Sequence, residues 1–285
     1  MTRHSRASLA LALGGALWGL YWIPLRWLAE TEAAGLWPGL VMISGSGLVA
    51  LLLALARGGI SVGVLVAGMV MGSAFGLFTA ALLLTDVARA ILLFYLTPIW
   101  GTLLGRFVLA EAISRARLLA LVSALLGLAV IFGLGGETAV PMGLGDAVAL
   151  ASGVIWAFGS LLLFRLPRSD VIGQSAAFLT GATAVSLAFL ALSGVAPAPS
   201  PATLALTFPA ALYVLPMVLL TVWPSSVLTP ARVGLILMTE VVVGLTSAAL
   251  FAGEPFGPRE ALGAALIVLA ALIEVVGHRD KADTG

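Results

Sequence analysis

The chain has no cysteine, and only 9% of its 285 residues are charged. The first absence removes disulfides, zinc ribbons, iron–sulfur clusters and thiol nucleophiles together. The second excludes a water-soluble fold, since an ordinary soluble domain carries about a quarter charged residues to cover its surface. With 14 basic and 13 acidic side chains the net charge is only +1, so a nucleic-acid partner has no electrostatic footprint. Histidine is nearly missing as well. Both copies, His4 and His278, lie in the tails, so metal- or histidine-dependent chemistry inside the chain has no supplier. No Gly-x-Ser-x-Gly elbow occurs. The reading is therefore not an enzyme, with no cofactor and no metal. What fills the space is apolar: 61% of the residues.

That excess is arranged in runs of 18 or more residues, broken by the few charges and by Gly/Pro clusters. Ten spans are predicted, at 8–28, 35–56, 62–84, 88–108, 116–134, 143–164, 172–193, 204–223, 230–251 and 259–277. The in/out alternation of a membrane barrel is absent from them, so the spans are helices. Arg3 and Arg6 before the first run imitate a signal peptide. Its apolar stretch outruns the usual h-region and carries Trp18, Trp22 and Trp27, so it is read as retained.

Charge sets the orientation. With both termini in the cytoplasm, Arg3, Arg6, Arg57, Arg106, Arg115, Arg117, Arg165, Arg168, Arg232, Arg279 and Lys281 fall inside, and only Arg26, Arg89 and Arg259 fall outside. Glu30, Glu32, Asp86, Glu137, Asp146, Glu254 and Glu260 collect on the outer side.

The sequence also repeats. A shift of 143 lays Ala88-Arg89 on Ala231-Arg232, Gly101 on Gly244 and Glu111 on Glu254; a shift of 138 lays Gly15 on Gly153 and Trp18 on Trp156. The chain divides into 1–138 and 139–285, five spans each. Five is odd, so the second half enters the membrane upside down. Inverted halves around a central cavity are a transporter architecture.

Leu96-Thr97-Pro98 followed by Gly101 and Leu109-Ala110-Glu111, the later Ala252-Gly253-Glu254-Pro255, and Ala16-Leu17-Trp18-Gly19 in the first span resemble the drug/metabolite transporter superfamily, EamA type. The aromatic first span and the overall size resemble its YddG-type amino-acid exporters. The resemblance implies a ten-helix bundle with inverted repeats and a central substrate cavity, exporting amino acids and related metabolites across the bacterial inner membrane; monomer and dimer both stay open on sequence. Thr239-Glu240 stands where the pattern expects a Thr-Pro pair, so the second half departs from it.

Glu240 is the one acid placed deep in a span: ten residues beyond Pro230, hence about 15 Å in, near the midplane of a ~30 Å core. It is either a substrate-amine contact or protonatable coupling group, or a neutral hydrogen-bonded glutamic acid that holds spans together. Asp146 and Glu274, nearer the interfaces, read as structural or solvated. Trp18, Tyr21 and Trp22 share one face of the first span. With Trp156 they sit too deep for an interfacial belt and read as cavity walls able to hold an apolar side chain or an ammonium group. Pro24 is expected to bend the helix behind them, and Pro209, Pro216 and Pro224 to kink span 8. Tyr95, Trp100, Phe78 and Thr79 in spans 3 and 4 and Tyr213 in span 8 complete the substrate-binding candidates, although a stripe such as Phe75, Phe78 and Thr79 also suits packing. Gly68, Gly72 and Gly76, and the pairs Gly15/Gly19 and Gly101/Gly105, read as close helix contacts.

A deep arginine or lysine is missing, which disfavours phosphate and nucleotide-sugar substrates. The expectation is alternating-access export of aromatic and other neutral amino acids, with lipid as the only other partner. A multidrug or cationic-compound exporter of the same fold is the alternative, and a channel a more distant one, since no filter motif or charged ring is visible.

Overall fold

The computed structural model describes residues 2–31, 35–108, 115–132, 141–164, 166, 170–192, 199–225, 227–228, 230–254 and 256–282. Among the described residues every regular element is a helix: α1 (Arg3–Leu20), α2 (Trp22–Thr31), α3 (Trp37–Ala56), α4 (Val62–Leu84), α5 (Val87–Phe94), α6 (Thr97–Val108), α7 (Arg115–Phe132), α8 (Leu144–Phe164), α9 (Val171–Leu192), α10 (Pro201–Ala205), α11 (Thr207–Ser225), α12 (Pro230–Phe251) and α13 (Pro258–Ala282). Glu32, Leu109, Ala110, Glu111, Glu137, Arg165, Arg168 and Pro255, which entered the charge tally or the repeat, lie outside the described residues, as do the side chains of Arg232 and Glu274.

Three interruptions separate helices that otherwise run on: at Tyr21 between α1 and α2, at Tyr95-Leu96 between α5 and α6, and at Leu206 between α10 and α11. Each is followed by a proline in the first turn of the next helix, whereas Pro216 and Pro224 lie inside α11 without interrupting it. Pro24 is the third residue of α2, Pro98 the second of α6 and Pro209 the third of α11. Proline has no N–H and its ring crowds the carbonyl four residues back, so it sits without cost in a first turn, whose amides lack intrahelical partners. The chain breaks just upstream of each. The expected bend at Pro24 is thus a break three residues earlier.

Seven helical stretches are long and apolar enough to cross a membrane: Arg3–Glu30, Trp37–Ala56, Val62–Leu84, Val87–Val108, Leu144–Leu163, Val171–Leu192 and Pro201–Ser225. The chain is a multi-pass helical membrane protein. Where the remaining three spans were expected, α7, α12 and α13 stand, with shorter apolar stretches at Leu118–Gly127 and Thr239–Phe251.

Packing partners come from far apart in the chain. The principal pairings are α4 with α8 and α9, α7 with α13, α1 with α12 and α11, and α3 with α9 and α11. Small residues make the closest approaches, because lipid offers no hydrophobic drive to join helices and contact must come from tight packing. Gly72 lies on the backbone of Phe178, with Gly68 against Ala177 and Gly76 against the Ala182 carbonyl, so the α4 glycines form the groove that receives α9. Gly15 and Gly19 do the same against Thr239, Glu240 and Gly244 of α12. Gly101 differs from the expectation: nothing lies within 4 Å of where its side chain would start.

Candidate functional site

The interruption at Tyr95-Leu96 falls near the middle of the Val87–Val108 stretch, and it turns Tyr95 toward α12. Its hydroxyl donates to Glu240 Oε2 at 2.8 Å and lies 3.1 Å from the Leu237 carbonyl. Glu240, ten residues beyond the start of α12 and only 6% exposed, is therefore partnered across a helix interface. An unpartnered buried carboxyl would cost several kcal/mol in hydrocarbon.

From Tyr95 a continuous run of rings crosses the bundle. Tyr95 meets Phe94 at 5.6 Å, Phe94 meets Trp156 of α8 at 5.6 Å, and Trp156 meets Phe178 of α9 at 6.1 Å. Phe178 stacks on Phe75 of α4 at 5.7 Å and 12°, and Phe75 receives the edge of Trp18 at 4.7 Å and 77°. Tyr21 closes the run between Phe75, at 5.3 Å, and Tyr213 of α11, at 6.3 Å. Phe78 adds a contact to Phe94 at 5.0 Å. Edge and offset geometries of this kind satisfy the ring quadrupoles.

Polar tips on the rings are tied off to other helices. Tyr213 Oη donates to the Leu17 carbonyl at 2.5 Å, and Trp18 Nε1 donates to Thr221 Oγ1 at 2.9 Å. Thr79 Oγ1 donates to Tyr21 Oη at 3.4 Å. Trp18, Tyr21, Phe78 and Thr79 are buried, and Tyr95, Trp156 and Tyr213 are partly buried.

The structure thus brings together eight of the ten expected residues: Trp18, Tyr21, Phe78, Thr79, Tyr95, Trp156, Tyr213 and Glu240. Trp22 stands apart, its Nε1 donating to Ser247 Oγ at 3.0 Å and its ring 5.7 Å from the Arg26 guanidinium. Trp100 packs at the edge of the same core, and among the described residues its buried Nε1 has no hydrogen-bond partner. Phe94 and Phe178, which join the rings of α1, α4 and α5 to Trp156, were not singled out from sequence. Phe94 immediately precedes the Tyr95-Leu96-Thr97-Pro98 break, a signal that could have found it; Phe178 carried none.

Every arginine with a described partner near this region is held at a bundle end. Arg26 pairs with Glu254 at 2.9 Å and Arg89 with Asp146 at 2.5 Å. The ring network itself presents apolar faces, hydroxyls and one carboxyl. Such a set suits a solute with an apolar body and an amine, and offers nothing to balance a phosphate.

Residues 5–133, which run from α1 through α7, match the EamA-like transporter family. No curated protein matches the chain. Among solved structures, one described only as the crystal structure of a protein is 22% identical, with a TM-score of 0.59 over 94% of this chain and 97% of its own. At that identity the likeness speaks to the fold.

Proposed function

We propose that the chain is a secondary transporter that moves amino acids, aromatic and other neutral ones, and related metabolites by alternating access between two inverted five-helix halves, 1–138 and 139–285. The observation that carries this reading is the Tyr95–Glu240 bond: a hydroxyl from residues 1–138 and a buried carboxyl from residues 139–285 meet beside rings drawn from both stretches. A broken helix facing a polar group at the midplane is the usual construction of a transporter site.

The packing pattern supports the inversion. Assigning α1/α2 to α8, α3 to α9, α4 to α10/α11, α5/α6 to α12 and α7 to α13 maps the pairings onto themselves. The contact of α4 with α8 becomes α11 with α1, α4 with α9 becomes α11 with α3, and α1 with α12 becomes α8 with α5/α6. The counterparts α3 and α9, α5 and α12, and α7 and α13 touch each other, as helices on a shared axis must. The match of residues 5–133 to a transporter family supports the activity class, a small-molecule substrate and a non-enzymatic role. The charge tally supports an inner-membrane orientation with both termini cytoplasmic.

In this assignment the rings enclose the apolar side chain, Glu240 meets the amine, and Tyr95 and Thr79 are the hydroxyls nearest the carboxylate. A cationic or lipophilic drug is the second reading, favoured by the single buried acid among aromatic faces. The test is uptake of a panel of labelled neutral amino acids into proteoliposomes. Saturable uptake of at least one is expected; saturable uptake of cationic dyes alone selects the second reading, and no saturable uptake of either overturns both.

A further inference from the structure

The two ends of the bundle are closed by different chemistry. At one end Glu254, between α12 and α13, accepts from three donors: Arg26 Nη1 at 2.9 Å, the Val87 amide at 2.7 Å and the Ala88 amide at 3.0 Å. Arg26 also donates to the carbonyls of Leu82 at 3.0 Å and Thr85 at 2.7 Å, which end α4. Beside it Asp146, in the first turn of α8 and 2% exposed, takes Arg89 Nε at 3.1 Å and Nη2 at 2.5 Å, and Thr85 Oγ1 at 2.8 Å. The turn from α4 to α5 is gripped from both sides. Apart from Arg26's bonds to α4, each of these bonds joins residues 26–89 to Asp146 or Glu254, so each crosses between the halves.

The other end has no counterpart of this kind among the described residues. There Ala7 and Leu11 of α1 pack with Leu228 in a small apolar cluster separate from the main core, flanked by Val233, Ile236 and Leu237. Leu11 lies fifteen residues before Arg26, which over helix is about 22 Å.

Resting on the transporter reading above, we infer that the Arg26–Glu254 and Arg89–Asp146 pairs are the latch of one mouth of the transport path, and that the Ala7–Leu11–Leu228 cluster is the plug of the other. The physical logic is one of location. Parting the halves in the membrane core would strand charges in hydrocarbon, whereas at a bundle end the freed guanidinium, carboxylate and α5 amides pass to water. A latch of charge-assisted bonds at a mouth is therefore strong when closed and reversible when opened.

The absence of native cysteine supplies the assay. Ile91 lies one turn inside the latch, is buried, and faces Gly244 of the opposite half; Leu11 is buried in the plug. Ile91→Cys and Leu11→Cys, each alone in the purified protein in lipid nanodiscs, are modified with a polar maleimide. Glu254→Gln is expected to raise the rate at Ile91→Cys roughly ten-fold, as the loss of one charge-assisted hydrogen bond implies. Adding Asp146→Asn raises it further, while Leu11→Cys stays unchanged or slows. An unchanged rate at Ile91→Cys in the double variant overturns the latch, as does equal acceleration at both reporters, which marks general loosening. Labelling needs no substrate, so the two failures separate. Unshifted labelling with intact uptake sinks the latch alone, and shifted labelling in a protein that moves no tested solute sinks the transport reading and the latch's role with it.

Discussion

Glu240 and Tyr95 show how far a single residue can be read. That the acid is buried was legible from its place ten residues beyond Pro230, and its need for a partner followed from the cost of a lone carboxyl in hydrocarbon. Which partner it takes did not, because Tyr95 is 145 residues away and no periodicity links them. An interhelical hydrogen bond in a membrane contributes only about 0.6 kcal/mol on average, since the unfolded chain also finds partners. Tyr95→Phe should therefore lower thermal stability by no more than about 1–2 kcal/mol, while affinity for substrate in uptake assays falls by at least roughly ten-fold, a loss that a structural hydroxyl would not produce. Glu240→Gln should flatten the pH dependence of uptake; an unchanged rate and profile would remove the acid from the mechanism. Phe178 escaped the sequence reading for a related reason: a phenylalanine within an apolar run has no feature that separates a site wall from ordinary packing.

At the scale of helices, more was legible. Apolar runs marked the helices, and Pro24 and Pro209 stand in the turn after an interruption, because a missing amide acts locally. Pro216 and Pro224, also expected to kink their span, lie inside α11 without ending it. The glycine patterns in α1 and α4 became close contacts, whereas the same spacing at Gly101 did not. Spacing says which face is small, not whether another helix lies against it. The contrast is measurable. Gly72→Ala, whose methyl would meet the Phe178 backbone, should cost about 1–3 kcal/mol by overpacking, read as a lower melting temperature in detergent. Gly101→Ala, with open space beside it, should be neutral or gain slightly from helix propensity.

For the molecule as a whole, the charge tally had already set Arg26, Arg89, Asp146 and Glu254 on one side, and the structure joins those four residues at one end. Which helices meet was not readable, since the principal pairings, α4 with α8 and α9, α1 with α12 and α7 with α13, all join residues before 133 to residues after 140. Neither half has its own complete core. Fragments 1–138 and 139–285 expressed separately should be degraded or aggregate, and co-expressed they should co-purify as a complex; stable accumulation of either alone would contradict this packing. The central claim is that the middle of the molecule is reached from each face in turn. The most direct measurement is modification of Trp156→Cys, in the centre of the ring network, by an impermeant thiol reagent applied to one side and then the other of oriented membrane vesicles. Modification from both sides, slowed by a transported solute, is the expected result. A residue that stays unmodified from both sides would mean a solid interior and contradict the carrier account.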